Sequence, residues 1–155
     1  MELFDPRKPN ALAHAGTFNN NVLTMAAGRA GLEQVFTPER AAELHAVGER
    51  LRADLNDIGS GTLMKVTGVG SIMCFHFTTT PASAIKSHLG LKDVDATLAG
   101  LFHLFLLERG YYIARRGFLA LNLALSDQDY AGFLAAVKVF VDEHRSLLTE
   151  SRARL

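Results

Sequence analysis

The sequence is short of cysteine. Cys74 is the single thiol in 155 residues. One thiol excludes an internal disulfide framework and is the usage expected in a reducing cytoplasm. Net charge is also missing: 16 Lys and Arg stand against 16 Asp and Glu. Nothing electrostatic therefore favours nucleic acid or an anionic membrane as a partner. No apolar run reaches the roughly 18 to 20 residues that cross a bilayer. The opening Met1-Glu2-Leu3-Phe4-Asp5-Pro6 lacks the basic start and long apolar stretch of a signal peptide. There is no internal repeat and no low-complexity tract. His14, His45, His76, His88, His103 and His144 show no metal-ligand spacing, and Cys74 has no cysteine partner, so no metal site is expected. What remains is an ordinary globular composition, 48 % hydrophobic and 21 % charged, long enough for a core.

Two prolines and Asn10 predict an extended loop over residues 1 to about 16. A helix from Val22 to about Val35 follows, with Asn21 as cap. Its small residues Ala26, Ala27, Gly28, Ala30 and Gly31 imply close packing on more than one side. Thr37-Pro38-Glu39 starts a second helix: a cap, a proline at the first helical position and an acid at the positive dipole end. Leu44, Val47, Leu51, Leu55 and Ile58 then form one apolar stripe. The runs 62–67 and 71–79, joined by Gly68-Val69-Gly70, read as a β-hairpin. A third helix covers about Val94 to Arg109, and Gly110 suits the left-handed position behind it. Tyr111 to Ala114 and Phe118 to Leu123 are strand candidates. Ser126 and Asp129 suggest a capping box for a last helix, with Phe133, Val137, Phe140, Val141 and His144 inward. This order predicts an α+β fold, a small, mainly antiparallel sheet carrying helices. Cys74, in the run Ile72-Met73-Cys74-Phe75, reads as inert core. Met25, Met64 and Met73 read as packing residues, and Arg50, Arg52 and Asp54 as a solvated helix face.

Two segments carry possible chemistry. In His14-Ala15-Gly16-Thr17-Phe18-Asn19-Asn20-Asn21, Gly16 lets backbone approach an anion, Thr17 offers a hydroxyl and an N–H, and a helix N-terminus follows. On residue types alone, a polar turn with a helix cap explains the same segment. In Arg115-Arg116-Gly117-Phe118, adjacent arginines could hold a carboxylate in a bidentate fork, or be surface charges.

Residues 14–28 together resemble the glycine–threonine–aromatic signature of class III pyridoxal-phosphate-dependent aminotransferases. The similarity is greatest to the branch with glutamate-1-semialdehyde 2,1-aminomutase and the β-amino-acid (β-phenylalanine type) aminotransferases. Val66-Thr67-Gly68-Val69-Gly70-Ser71 resembles the family hairpin. Arg116 to Leu123, followed by Ser126-Asp127-Gln128-Asp129, resembles its final strand and helix start. Val22 departs from the proline that many members carry. The resemblance covers about residues 10 to 148, and it implies the C-terminal domain of a fold-type I aminotransferase. Residues 1–20 would be an extended segment with a phosphate-contacting loop. Residues 21–155 would be the small domain led by an interdomain helix.

The family is a homodimer using pyridoxal 5'-phosphate, with amino-acid and 2-oxo-acid substrates. Gly16 and Thr17 would meet the phosphate of the partner subunit's cofactor. Arg116 would meet a substrate carboxylate. The family's Schiff-base lysine lies a few tens of residues before the glycine–threonine motif. Lys8, Lys65, Lys86, Lys92 and Lys138 do not match it, so no catalytic residue is expected in this chain. The expectation is a transaminase fragment, inactive by itself, with its apolar interdomain helix left open to self-association. An aminomutase fragment and a non-catalytic dimerisation or interaction domain are the alternatives.

Overall fold

The computed structural model describes residues 2–13, 16–18, 21–91 and 93–149. The chain divides into two units, Met1–Arg40 and Ala41–Leu155.

In the first unit the N-terminal loop folds back on itself. Glu2–Phe4 is a 3-10 turn. The Leu12 N–H donates to the Leu3 carbonyl at 2.8 Å, and the Asp5 carboxylate takes both the Arg7 amide and its guanidinium. Helix α1 spans Val22–Ala30 and continues as a π-helical turn, Gly31–Val35. Asn21 caps it as expected, its Oδ1 accepting from the Leu23 and Thr24 amides at 3.0 and 3.2 Å. The close packing expected of α1 is not present. None of its residues is buried, Met25 is exposed, and a Cβ on Gly28 or Gly31 would meet nothing within 4 Å. A unit of this size has too little apolar surface to cover such a helix from several sides.

Helix α2, Pro38–Ile58, runs into the second unit, where Leu51 and Leu55 are buried and Leu44, Val47 and Ile58 pack against the core. Strands β1 (Met64–Val69) and β2 (Ile72–Phe77) pair antiparallel, with Val69 opposite Ile72. The two-residue turn is therefore Gly70-Ser71, one step later than the sequence suggested. Gly70 sits at φ +54°, as a tight hairpin requires. Helix α3 covers Ala96–Glu108 and ends at Gly110, φ +83°. Strand β3, Phe118–Ala120, pairs with β2 and gives the antiparallel order β1-β2-β3. Helix α4 (Asp127–Glu143) opens on the expected capping box, and a short α5 (Arg145–Thr149) follows. The Ser126 hydroxyl and amide hold the Asp129 carboxyl below the usual carboxylate range.

Period-two alternation decides which sheet face is covered. Met64, Val66, Met73, Phe75 and Phe77 are buried, while Lys65, Thr67, Cys74 and His76 are only half-buried. The inner face meets an aromatic cluster from α3 and α4. The Phe102 ring lies 4.9 Å from both Phe75 and Phe140. The fold is α+β, as read from the sequence, with a smaller sheet. Tyr111 to Ala114 is not a strand: Ala114 N–H donates to the Phe118 carbonyl, but the Gly117 carbonyl is taken by Phe75 instead. Strand β3 also stops early, because Asn122 Oδ1 turns back to accept the Ala124 amide at 2.9 Å.

Edge strand β1 is closed by a side chain that the sequence reading did not single out. Asn56 of α2 accepts the Val66 N–H at 3.0 Å and donates to the Val66 carbonyl at 2.9 Å. Its amide thus takes the place of a further strand. Arg52 is half-buried, paired with Glu49, rather than part of a solvated face. The Glu49 carboxylate also accepts the Gly70 N–H at 2.8 Å, and this bond holds its carboxyl below the usual range. Among the described residues no helix is long and apolar enough to cross a membrane. Asn56→Ala should cost about 1–2 kcal/mol in urea unfolding and speed hydrogen exchange at Val66. Unchanged exchange at that amide would show that the edge is protected in another way.

Candidate functional site

Gly16 and Thr17 belong to the first unit, in an exposed segment before α1. The Asn21 N–H donates to the Phe18 carbonyl at 3.4 Å just before the helix. His14, Asn19 and Asn20 of the same motif lie outside the described residues. The cap limits what the helix end offers an anion, because Asn21 already takes the Leu23 and Thr24 amides. Among the described residues, the segment offers a ligand oxygen the Thr17 hydroxyl and N–H and the Gly16 backbone.

Arg116 lies in the second unit, on a turn fixed to the sheet. The Gly117 N–H donates to the Ala114 carbonyl at 2.8 Å, closing a β-turn with Arg115 and Arg116 at its exposed corners. Behind the turn, the Phe75 N–H donates to the Gly117 carbonyl at 3.0 Å. Gly117 has φ +85°, and a Cβ there would stand 2.3 Å from the Phe75 carbonyl oxygen. Only glycine permits both that conformation and that approach. The Cys74 thiol donates to the Arg116 carbonyl at 3.5 Å. Cys74 is therefore half-buried on the outer sheet face, not core as expected. Burial pushes its thiol up, and the Arg116 charge pulls it part of the way back.

The two arginines have different neighbours. The Arg116 guanidinium lies over the Phe118 ring, 5.4 Å from its centroid. The Arg115 guanidinium lies against Gly100 of α3, 3.5 Å from where a Cβ would stand. Arg116 is thus the member of the pair on the outer face, beside an open apolar groove lined by Val69, Ile72, Cys74, Ile85 and Phe118.

Lys8 is paired with Glu2, Lys138 with Asp142, and Lys65 donates to the Thr62 carbonyl. His76, His103 and His144 are bound to Thr67, Ile113 and Phe140, respectively. Among the described residues no group of three or more His, Cys, Asp or Glu could hold a metal ion.

No family model matches the chain. Individual proteins do. The sequence is 46% identical over 150 residues to the β-phenylalanine transaminase of Variovorax paradoxus, covering 96% of this chain and 34% of that protein. The crystal structure of a β-phenylalanine aminotransferase from Variovorax paradoxus superposes with a TM-score of 0.86 at 45% identity, over 98% of this chain and 35% of that one. The chain belongs to the class III aminotransferases. It represents about the C-terminal third of such a protein. Glutamate-1-semialdehyde 2,1-aminomutase of Clostridium kluyveri is a more distant relative, 30% identical over 90% of this chain and 33% of the aminomutase. The chain thus spans about a third of the length of the relatives it matches.

Gly117 and Gly110 separate the docking of the Arg116 turn from mere backbone conformation. Both have positive φ, but a Cβ on Gly110 would meet nothing within 4 Å. In this aminotransferase segment Gly110→Ala should cost about 1 kcal/mol, and Gly117→Ala about 1–3 kcal/mol more, in urea unfolding. Equal losses would show that the turn does not rest on β2.

Proposed function

We propose that this chain works as the C-terminal part of a pyridoxal-phosphate-dependent transaminase that moves an amino group between an amino acid and a 2-oxo acid. The amino acids include β-amino acids. The observation carrying this reading is the 46% identity to a β-phenylalanine transaminase along 96% of the chain. The aminomutase reading has the lower identity, 30%.

The residues present fit one part of the cofactor, its phosphate. Thr17 presents a hydroxyl donor on an exposed segment with Gly16 beside it, a donor set suited to a phosphate oxygen. We assign Gly16 and Thr17 to the phosphate of the cofactor in the partner subunit of a homodimer. When bound, pyridoxal phosphate supplies the electron sink for the amino transfer. The lysine that would carry it belongs to the part of the enzyme beyond this third.

Arg116 supplies the substrate contact. Its guanidinium offers paired N–H donors to a carboxylate. The turn beneath it is fixed by Gly117, so the backbone that carries the side chain is in place before substrate arrives. These features orient a carboxylate; they move no proton.

In the complete enzyme, Arg116→Ala should raise KM for β-phenylalanine by about ten- to a hundred-fold, with a smaller change in kcat. An equal loss with an amine donor lacking a carboxylate would show that Arg116 is structural.

A further inference from the structure

The outer face of the sheet holds a row that the alternation of three strands brings together. Thr67 of β1 stands opposite Cys74 of β2, and Cys74 opposite Phe118 of β3. Leu119, next along β3, packs against the core. Phe118 therefore has to project outward, where it is 38% exposed. An exposed aromatic on a strand needs a reason, and here the Arg116 guanidinium lies 5.4 Å from its ring centroid. That distance is within the reach of a cation–π contact, which the ring's negative face makes attractive.

The neighbouring contacts divide the work. Cys74 and Phe75 hold the backbone of the turn, through the carbonyls of Arg116 and Gly117. The arginine side chain has several freely rotating bonds, so a fixed backbone leaves its charged end undirected. Among the described residues, the Phe118 ring is the aromatic over which the guanidinium lies.

We propose that Phe118 is a positioning residue: its ring sets the Arg116 guanidinium in the pose that receives a substrate carboxylate. The proposal rests on the assignment of Arg116 as the carboxylate contact. A cation–π contact engages the charge and not the N–H donors, which a carboxylate can then use. A leucine would keep the apolar character and the strand position but remove the π face.

The test uses the complete enzyme and two amino donors. One is β-phenylalanine; the other is 1-phenylethylamine, which has the same aryl amine without the carboxylate. Phe118→Leu should raise KM for β-phenylalanine about three-fold, leave kcat unchanged and leave 1-phenylethylamine unaffected. Phe118→Tyr, which retains the π face, should restore the original KM. In the isolated chain, nuclear magnetic resonance should show the Arg116 side-chain protons shifted by the ring current, and that shift lost in Phe118→Leu. Arg116→Ala, run alongside, separates the two claims. If it shows the carboxylate-selective loss and Phe118→Leu does not, the positioning role of Phe118 is wrong while the Arg116 assignment stands. If Phe118→Leu weakens both donors equally, the ring is only structural and the proposal is overturned. If Arg116→Ala itself shows no selectivity, the Arg116 assignment falls and this inference falls with it.

Discussion

One-sided burial of a three-stranded sheet governs the second unit. Phe75 and Phe77 enter a cluster with Phe102, Phe105 and Phe140, where Phe77, Phe102 and Phe140 are at most 1% exposed. Because neighbouring side chains on a strand point to opposite faces, that burial also settles the other face. Slipping β2 by one residue would carry His76 and Cys74 into the aromatic cluster and bring Phe75 and Phe77 out. The cost would be several large apolar side chains at roughly 1.5–3 kcal/mol each. The position of Arg116 follows from this arrangement. Its turn must meet β2 at Phe75, and only a glycine at 117 lets it come that close.

The same packing explains the fixed ends of the sheet. Edge strand β1 cannot take another strand on the side of α2, so Asn56 supplies the donor and acceptor that Val66 needs. At the hairpin tip, the Gly48 backbone of α2 comes so near that a Cβ there would stand 2.0 Å from the Gly70 carbonyl oxygen. Glu49 then reaches the Gly70 amide from the next position. Two successive helix residues, one without a side chain and one with a carboxylate, tie α2 to the turn.

Much of this was legible because the signals are local. The stripe through Leu51 and Leu55, the Ser126–Asp129 capping box, the Asn21 cap and the left-handed Gly110 each depend on residues within a turn or two of one another. What could not be read depends on distant partners. Nothing near Asn56 says that it will face Val66. Tyr111 to Ala114 has strand-forming residues, but its would-be partner spends the Gly117 carbonyl on Phe75. The small residues of α1 were read as a packing face, yet none of its residues is buried. Cys74 was read as core because its neighbours are apolar, yet alternation puts it outside. For the site, residue chemistry alone left Thr17 between an anion contact and a polar turn with a helix cap, and Arg116 between a carboxylate contact and a surface charge. The likeness to an aminotransferase family suggested the roles proposed for them, and the structure added Gly117 and Phe118 around Arg116.

The account's central claim is that this third of the enzyme completes a cofactor site in the other subunit. A hybrid dimer tests it most directly. One subunit carries Thr17→Ala with its Schiff-base lysine intact; the other keeps Thr17 and lacks that lysine. If Thr17 acts across the interface, the only site with a lysine has an intact Thr17. The hybrid should then retain one cofactor per dimer with the affinity of the unaltered enzyme. Retention as weak as in the dimer with Thr17→Ala in both subunits would place Thr17 at its own subunit's site, or at none, and would contradict the claim.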